Sequence, residues 1–261
     1  MYIGRDDIAY IRESDIIRIR LRELEEQKTE FISIASHQLR TPLAIIRGYI
    51  ELIESGAYGN IQTELSDVIQ KISQKNEELI DLVESLLQIA EIDQDSLVLR
   101  KQTCDVLHII KEATHALQGE MQKNSIELHV DIPDGSLYVD IDKDAFSIAC
   151  TNILENAIKY APQTQITLRV DITQTHIEIE CIDKGIGFEI DEAKYIFSKF
   201  YRAKGARNAA VKGTGLGLYI ARSIVELHGG YIHAKSPGVG AGSTFTIYLP
   251  IKNTEYNLYS N

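Results

Sequence analysis

The sequence has no tryptophan, and its three cysteines, Cys104, Cys150 and Cys181, stand far apart. So sparse and odd a set gives neither a disulfide framework nor a metal-thiolate spacing, and points to a reducing compartment with buried or idle thiols. Basic charge is also short. With 27 Lys and Arg against 38 Asp and Glu, the formal net charge is -11. A nucleic-acid partner would need clustered Lys and Arg, so none is expected. No apolar run is long enough to cross a bilayer and no secretory leader is read, which predicts a soluble chain. Against these absences stand 261 residues that are 44% apolar, enough for one large domain or two ordinary ones.

Residues 7–30 are highly charged, with Tyr10, Ile17, Leu21, Leu24 and Phe31 at gaps of three, four and seven and Lys28 in the remaining seam position. Both a coiled-coil helix and a solvated connecting helix fit. In residues 31–54, Phe31, Ile34, Ala35, Leu39, Leu43, Ile46, Ile50 and Ile53 trace one helical stripe. Pro42 falls inside it, and because the pattern runs on, a kink is predicted. "ESGAYGN" (54–60) supplies a turn, and a second helix carries Leu65, Val68, Ile69, Ile72, Leu79, Val83, Leu86 and Ala90 on one side. Two such helices bury little core alone, so pairing of two hairpins into a four-helix bundle is expected.

From about residue 97 the texture changes. "LVLRKQ" reads as a strand and 105–121 as a helix. "SIELHVDI" and "LYVDI" read as strands, 142–160 as a long helix, "ITLRVDIT" and "HIEIECID" as a hairpin, and 215–229 as a helix. "YIHAKS" and "STFTIYLP" close the domain as strands. This predicts an α+β sandwich, a mostly antiparallel sheet with helices on one face. The expected division is 1–24 coiled-coil linker, 25–95 helical hairpin, 96–252 sandwich and 253–261 polar tail.

At about 100° per residue, His37 of "SHQLRTP" (36–42) projects away from Ala35, Leu39, Ile46 and Ile53, into solvent. An exposed imidazole has one ring nitrogen free to attack when neutral. Thr41, one turn on, shares its face. "FISIASHQLRTPLAIIRGYIEL" strongly resembles the phosphoacceptor box of bacterial sensor histidine kinases, which join a dimeric helical hairpin to an ATP-binding domain. The resemblance covers about residues 20–250.

Three more stretches match in order. "NILENAIKYAP" (152–162) resembles the family's N-box, and on a helix Asn152, Asn156, Lys159 and Tyr160 share one side. An Asn carbonyl oxygen suits Mg²⁺. The resemblance implies that Asn156 holds Mg²⁺ while Asn152 and Lys159 approach the phosphates. "DKGIGF" (183–188) resembles the G1 box, in which the Asp183 carboxylate accepts the adenine amine and so selects ATP over GTP, and Gly185 and Gly187 let the backbone pass close to the base. "KGTGLGL" (212–218) resembles the G2 box. There Gly213, Thr214, Gly215, Leu216 and Gly217 precede a helix whose N-terminal amides can meet phosphate. A dinucleotide-binding reading fails, because "AKGARNAAVK" before it is loop-like rather than a strand. "IFSKFYRAK" (196–204) resembles the F-box: Phe197 and Phe200 are expected to pack, Arg202 to balance phosphate charge, and 203–212 to form a mobile lid over ATP.

One position departs from the family. After the phosphoacceptor most relatives carry Glu or Asp, and here stands Gln38, which can fix a tautomer but cannot take a proton. The resemblance gives Thr41 the orientation of the water that hydrolyses a receiver's phosphoaspartate. The function implied is an ATP-dependent protein-histidine kinase that autophosphorylates His37 and passes the phosphoryl group to an Asp of a response-regulator receiver. The alternative is a kinase-weak receiver-docking and phosphatase relay controlled by ATP. Its implied cofactors and partners are ATP, Mg²⁺, a second copy, the receiver and an upstream sensor domain or protein. The implied location is cytoplasmic, as a soluble protein or as the cytosolic portion of a membrane-associated sensor. His108 and His115 are read as solvated, His228 as structural, at a helix end where an imidazolium suits the dipole, and "VDIDKD" (139–144) as a strand end running into a helix's first turn.

Overall fold

The computed structural model describes residues 5–59, 62–94, 97–208, 211 and 213–251. The chain divides into two compact units between Leu97 and Val98.

The first unit is a helical hairpin. Helix α1 runs Arg5–Glu54 without interruption and includes Pro42. Pro42 has no N–H, so the Gln38 carbonyl lacks its helical donor. The chain reverses through Ser55–Gly59, with Gly56 and Gly59 at positive φ. Helix α2 then runs Thr63–Asp93. On α1 the buried residues Thr29, Ser36, Leu43 and Ile50 recur every seventh position. On α2, Asn76, Val83 and Ala90 recur in the same way, with Leu87 between the last two. This is the 3.5-residue period of a supercoiled seam. Buried within it, Asn76 donates its side-chain N–H to the Leu43 carbonyl at 3.1 Å.

The seam differs from the predicted stripes. Phe31, Ile34, Leu39 and Ile46 on α1, and Leu65, Val68, Ile72 and Leu79 on α2, are exposed. Each helix carries two apolar sets, and the hairpin covers only one of them. Of the expected coiled-coil positions, Leu24 and Phe31 are exposed and the side chains of Tyr10, Ile17 and Leu21 lie outside the described residues, as does the expected tail at 253–261.

The second unit is a two-layer α+β sandwich. Its elements are β1 (Gln102–Asp105), α3 (Val106–Ala116), α4 (Gln118–Lys123), β2 (Glu127–Asp131), β3 (Tyr138–Ile141) and α5 (Lys143–Tyr160). They continue with β4 (Gln165–Ile172), β5 (His176–Asp183), α6 (Lys204–Asn208), α7 (Gly217–Leu227), β6 (Tyr231–Lys235) and β7 (Ser243–Pro250). The main sheet has the order β2-β4-β5-β7-β6, with only the β2–β4 pair parallel. β1 and β3 pair separately. Strict alternation along β5 buries Ile177, Ile179 and Cys181 against a helical layer that includes Ile110, Phe146, Ile153 and Ile224. Burial pushes the Cys150 thiol up to about 12 and the Cys181 thiol up as well.

Two predicted elements shift. The strand read at 97–102 forms instead at 102–105, where β3 is available to pair. The helix read at 105–121 is broken at Leu117 into α3 and α4. Asp142 caps α5 by accepting the Ala145 N–H at 3.0 Å, and Asp144 lies in its first turn, as read for "VDIDKD". His108 meets Glu112 at 3.2 Å. His228 is structural as read, but as a neutral ring rather than an imidazolium: its Nδ1 donates to the Ile224 carbonyl at 2.8 Å and its Nε2 accepts the Asp142 N–H at 3.0 Å. Among the described residues no helix is long and apolar enough to cross a membrane.

Candidate functional site

The first candidate site is the outer flank of α1. His37, Gln38 and Thr41 are all exposed, while their neighbour Ser36 is buried in the seam. His37 and Thr41 are four residues apart on one helix, so they stand one above the other.

The second is a cleft in the sandwich. Its wall on α5 consists of Asn152, Glu155, Asn156, Lys159 and Tyr160. Gly213, Thr214, Gly215, Gly217 and Leu218 line another side, Tyr201, Arg202, Ala203 and Ala206 a third, and Ile186, Phe188, Ile196 and Phe245 give an apolar floor. A flat apolar slot beside a polar, amide-rich end has the chemistry of a nucleotide site.

Most predicted residues converge here. Three do not line the cleft. Leu216 is fully buried in the core beneath it. Asp183 and Gly185 lie immediately behind the lining. Asp183 is 4% exposed. Its Oδ1 accepts the Gly185 N–H at 2.7 Å and its Oδ2 accepts the Ser243 hydroxyl. Burial pushes this carboxyl up, against the lowering effect of the Ser243 and Gly185 donors. A Cβ on Gly185 would stand 2.2 Å from the Tyr160 carbonyl oxygen, so only glycine lets the strand exit pass the end of α5.

Gly217 has a similar task at the start of α7, where a Cβ would lie 2.5 Å from Asn152 Oδ1. Asn152 also donates to the Ile148 carbonyl at 3.0 Å. Lys159 pairs with Glu155 at 2.8 Å. Asn156 lines the cleft half-buried, as a neutral hard-oxygen donor.

The F-box region departs from expectation. Phe197 packs edge-on against Phe245, with ring centroids 6.4 Å apart. Phe200 is exposed, and its backbone has φ 61°, a conformation rare for a bulky residue. Its N–H donates to the Gly215 carbonyl at 3.0 Å, which holds that geometry. Arg202 Nη2 donates to the Ala206 carbonyl at 3.3 Å and to that of Val211, so part of the guanidinium serves the backbone rather than standing free. Its Nε is buried with no hydrogen-bond partner among the described residues. Part of the segment expected as a lid is the short helix α6, while residues 209, 210 and 212 lie outside the described residues.

Sequence reading missed Ser243 and Phe245 as site residues. "STFTIYLP" gave only strand alternation. Ser243 reaches the site because β7 pairs with β5 in a register that sets it opposite Asp183.

Residues 27–95 match the family model "His Kinase A (phospho-acceptor) domain". Residues 141–253 match the model "Histidine kinase-, DNA gyrase B-, and HSP90-like ATPase". The chain belongs to the bacterial sensor histidine kinases. Among curated kinases it is 32% identical over 237 residues to the sensor histidine kinase WalK of Bacillus subtilis (strain 168), covering 89% of this chain and 38% of that protein. It thus spans well under half the length of that relative. Among solved kinases, the fold is similar to full-length ShkA in complex with AMPPNP, at TM-score 0.68 and 21% identity over 85% of this chain and 45% of that one. It is also similar to the Acinetobacter baumannii histidine kinase AdeS, at TM-score 0.59 and 21% identity over 83% of this chain and 98% of that one.

Proposed function

We propose that this sensor histidine kinase binds ATP in the α5–α7 cleft, transfers the γ-phosphoryl group to His37, and passes it to an aspartate of a response-regulator receiver. The observation that carries the reading is the pairing of chemistries in one chain. An exposed imidazole sits on a helix flank, and a cleft in the second unit holds a buried arginine Nε with no partner among the described residues, beside a glycine-opened helix N-terminus.

In this reading Asp183 takes the adenine amine, with Ser243 fixing the carboxylate's orientation. Gly187, Phe188 and Phe245 flank the base. Asn152, Lys159, Tyr160, Arg202, Gly213, Thr214, Gly215 and Gly217 surround the phosphates, and Leu216 supports the loop from below. Mg²⁺ fits the donor set: Asn156 supplies a hard amide oxygen on the cleft wall next to the Glu155 carboxylate. When bound it would neutralise phosphate charge. His37 attacks through its free ring nitrogen, and Gln38 can hold the tautomer through its amide oxygen. No residue from 33 to 41 is acidic, so α1 offers no general base within a turn of His37. Gln38 is the observation that favours the second reading, a receiver-docking phosphatase relay in which Thr41 orients water and ATP controls conformation.

The exposed apolar set on α1 and α2 favours a homodimer, with two hairpins closing a four-helix bundle. The input is assigned to an upstream sensor domain or protein, and the kinase core to the cytosol.

Incubation with γ-labelled ATP and Mg²⁺ tests the kinase reading. The expected product is an acid-labile, alkali-stable label that His37→Ala abolishes. No label on the wild-type chain, with receiver dephosphorylation intact, would favour the relay.

A further inference from the structure

Glu192 is a buried carboxylate with no part in the nucleotide chemistry above. It is 5% exposed and closes a 3-10 turn, Ile190–Glu192. It does not line the cleft. Its Oε2 accepts the Glu189 N–H at 3.1 Å. Its Oε1 accepts two donors, the Tyr201 hydroxyl at 3.1 Å and the Lys204 N–H at 2.9 Å.

All three donors belong to segments that build the cleft. Glu189 follows Gly187 and Phe188. Tyr201 lines the cleft itself and precedes Arg202. Lys204 opens α6, which places Ala206 in the cleft wall. Arg202 is therefore bracketed on both sides by groups held on one oxygen. Burial pushes the Glu192 carboxyl up, but the Lys204 and Glu189 amides, the Tyr201 hydroxyl and the Lys204 charge outweigh it and hold the carboxyl low.

We infer that Glu192 is a positioning residue for nucleotide binding. It ties α6 and Arg202 to the loop that carries Gly187 and Phe188, and so sets the width of the cleft. The inference rests on the ATP reading. Both carboxylate oxygens are needed. In Glu192→Gln one oxygen becomes an NH₂ that cannot accept, so either the Glu189 amide or the Lys204 amide loses its acceptor, while the Tyr201 hydroxyl can at best turn round to accept.

The test is calorimetric titration of the full chain with Mg²⁺ and a non-hydrolysable ATP analogue, alongside thermal unfolding and amide exchange over residues 201–207. Glu192→Gln is expected to weaken binding by about 10-fold or more and to speed exchange in α6. Tyr201→Phe removes one of the three donors and should weaken binding less, and the double variant should bind close to Glu192→Gln alone. Unchanged affinity in both single variants would overturn the inference. So would a lowered unfolding temperature with α6 exchange and affinity as in wild type, since that marks a purely structural residue. If Glu192→Gln does not fold, Tyr201→Phe decides alone: weaker binding with faster α6 exchange supports the inference, and wild-type values overturn it. Failure of the wild-type chain to bind nucleotide would sink the ATP reading and this inference together. Wild-type binding with unaltered variants would sink the inference only.

Discussion

The Nε2 of His228 accepts the backbone N–H of Asp142 at 3.0 Å, across 86 residues of sequence. This bond joins the C-cap of α7 to the N-cap of α5, the two helices that border the cleft. Burial, with a smaller contribution from Lys101, holds the imidazole below its ordinary value of 6.5, and the Ile224 carbonyl and Asp142 carboxylate oppose that only in part. A ring whose folded pKa is lowered adds stability that is complete above the unfolded pKa and is lost as pH falls through the folded one. The sandwich should therefore have a flat unfolding temperature above about pH 6.5 and a falling one as the pH drops below that, through the lowered folded-state pKa. His228→Gln should be less stable at pH 7.5 and lose less on acidification. Equal losses in the two proteins, followed by circular dichroism, would remove His228 from the account.

Gln38→Glu supplies the missing carboxylate beside His37. A general base contributes about 10²–10⁴-fold in favourable cases, so autophosphorylation should rise. A flat or reduced rate would show that the neutral side chain already suffices. Thr41→Ala should leave autophosphorylation intact and impair dephosphorylation of the phosphorylated receiver. Equal loss of both would contradict the division of labour.

Gly217→Ala puts a methyl group 2.5 Å from Asn152 Oδ1. Gly217 is not among the glycines at positive φ, so the backbone tolerates alanine and the strain falls on the Asn152 side chain. Nucleotide affinity should drop by about 10-fold with little change in unfolding temperature. A normal dissociation constant would mean that Asn152 can turn away at no cost to binding.

Ser243→Ala strips Asp183 Oδ2 of its hydroxyl donor while burial remains. The carboxyl should shift further up, and ATP should bind more weakly with its preference over GTP reduced. Competition titrations with the two nucleotides measure both effects. An undiminished preference would place base selection elsewhere in the cleft.

The residues most legible in the sequence were those whose chemistry or conformation only a few residue types allow. Gly185 and Gly217 were picked out as glycines, and each occupies a place where a methyl group would collide. Asn156 fell on the cleft wall because helical spacing carries it there from Asn152. Ser243 and Glu192 were invisible for the opposite reason. Their roles come from partners brought near by strand register or by a turn, and nothing in "STF" or "DEAKY" announces those partners. On α2 the stripe is legible but its division is not: Leu79 and Val83 are one turn apart and equally apolar, yet the first is exposed and the second lies in the seam. "LVLRKQ" has the alternation of a strand, but pairing with β3 begins only at Gln102, opposite Ile141.

The uncovered row of aliphatic and aromatic side chains on the hairpin has a thermodynamic corollary. If a second copy is what shields it, the hairpin's folding equilibrium contains a concentration factor, and simple dilution acts on it as a mild denaturant. The sandwich, whose core closes on itself, should melt at one temperature whatever the dose, so the two halves of the chain should part company in a dilution series.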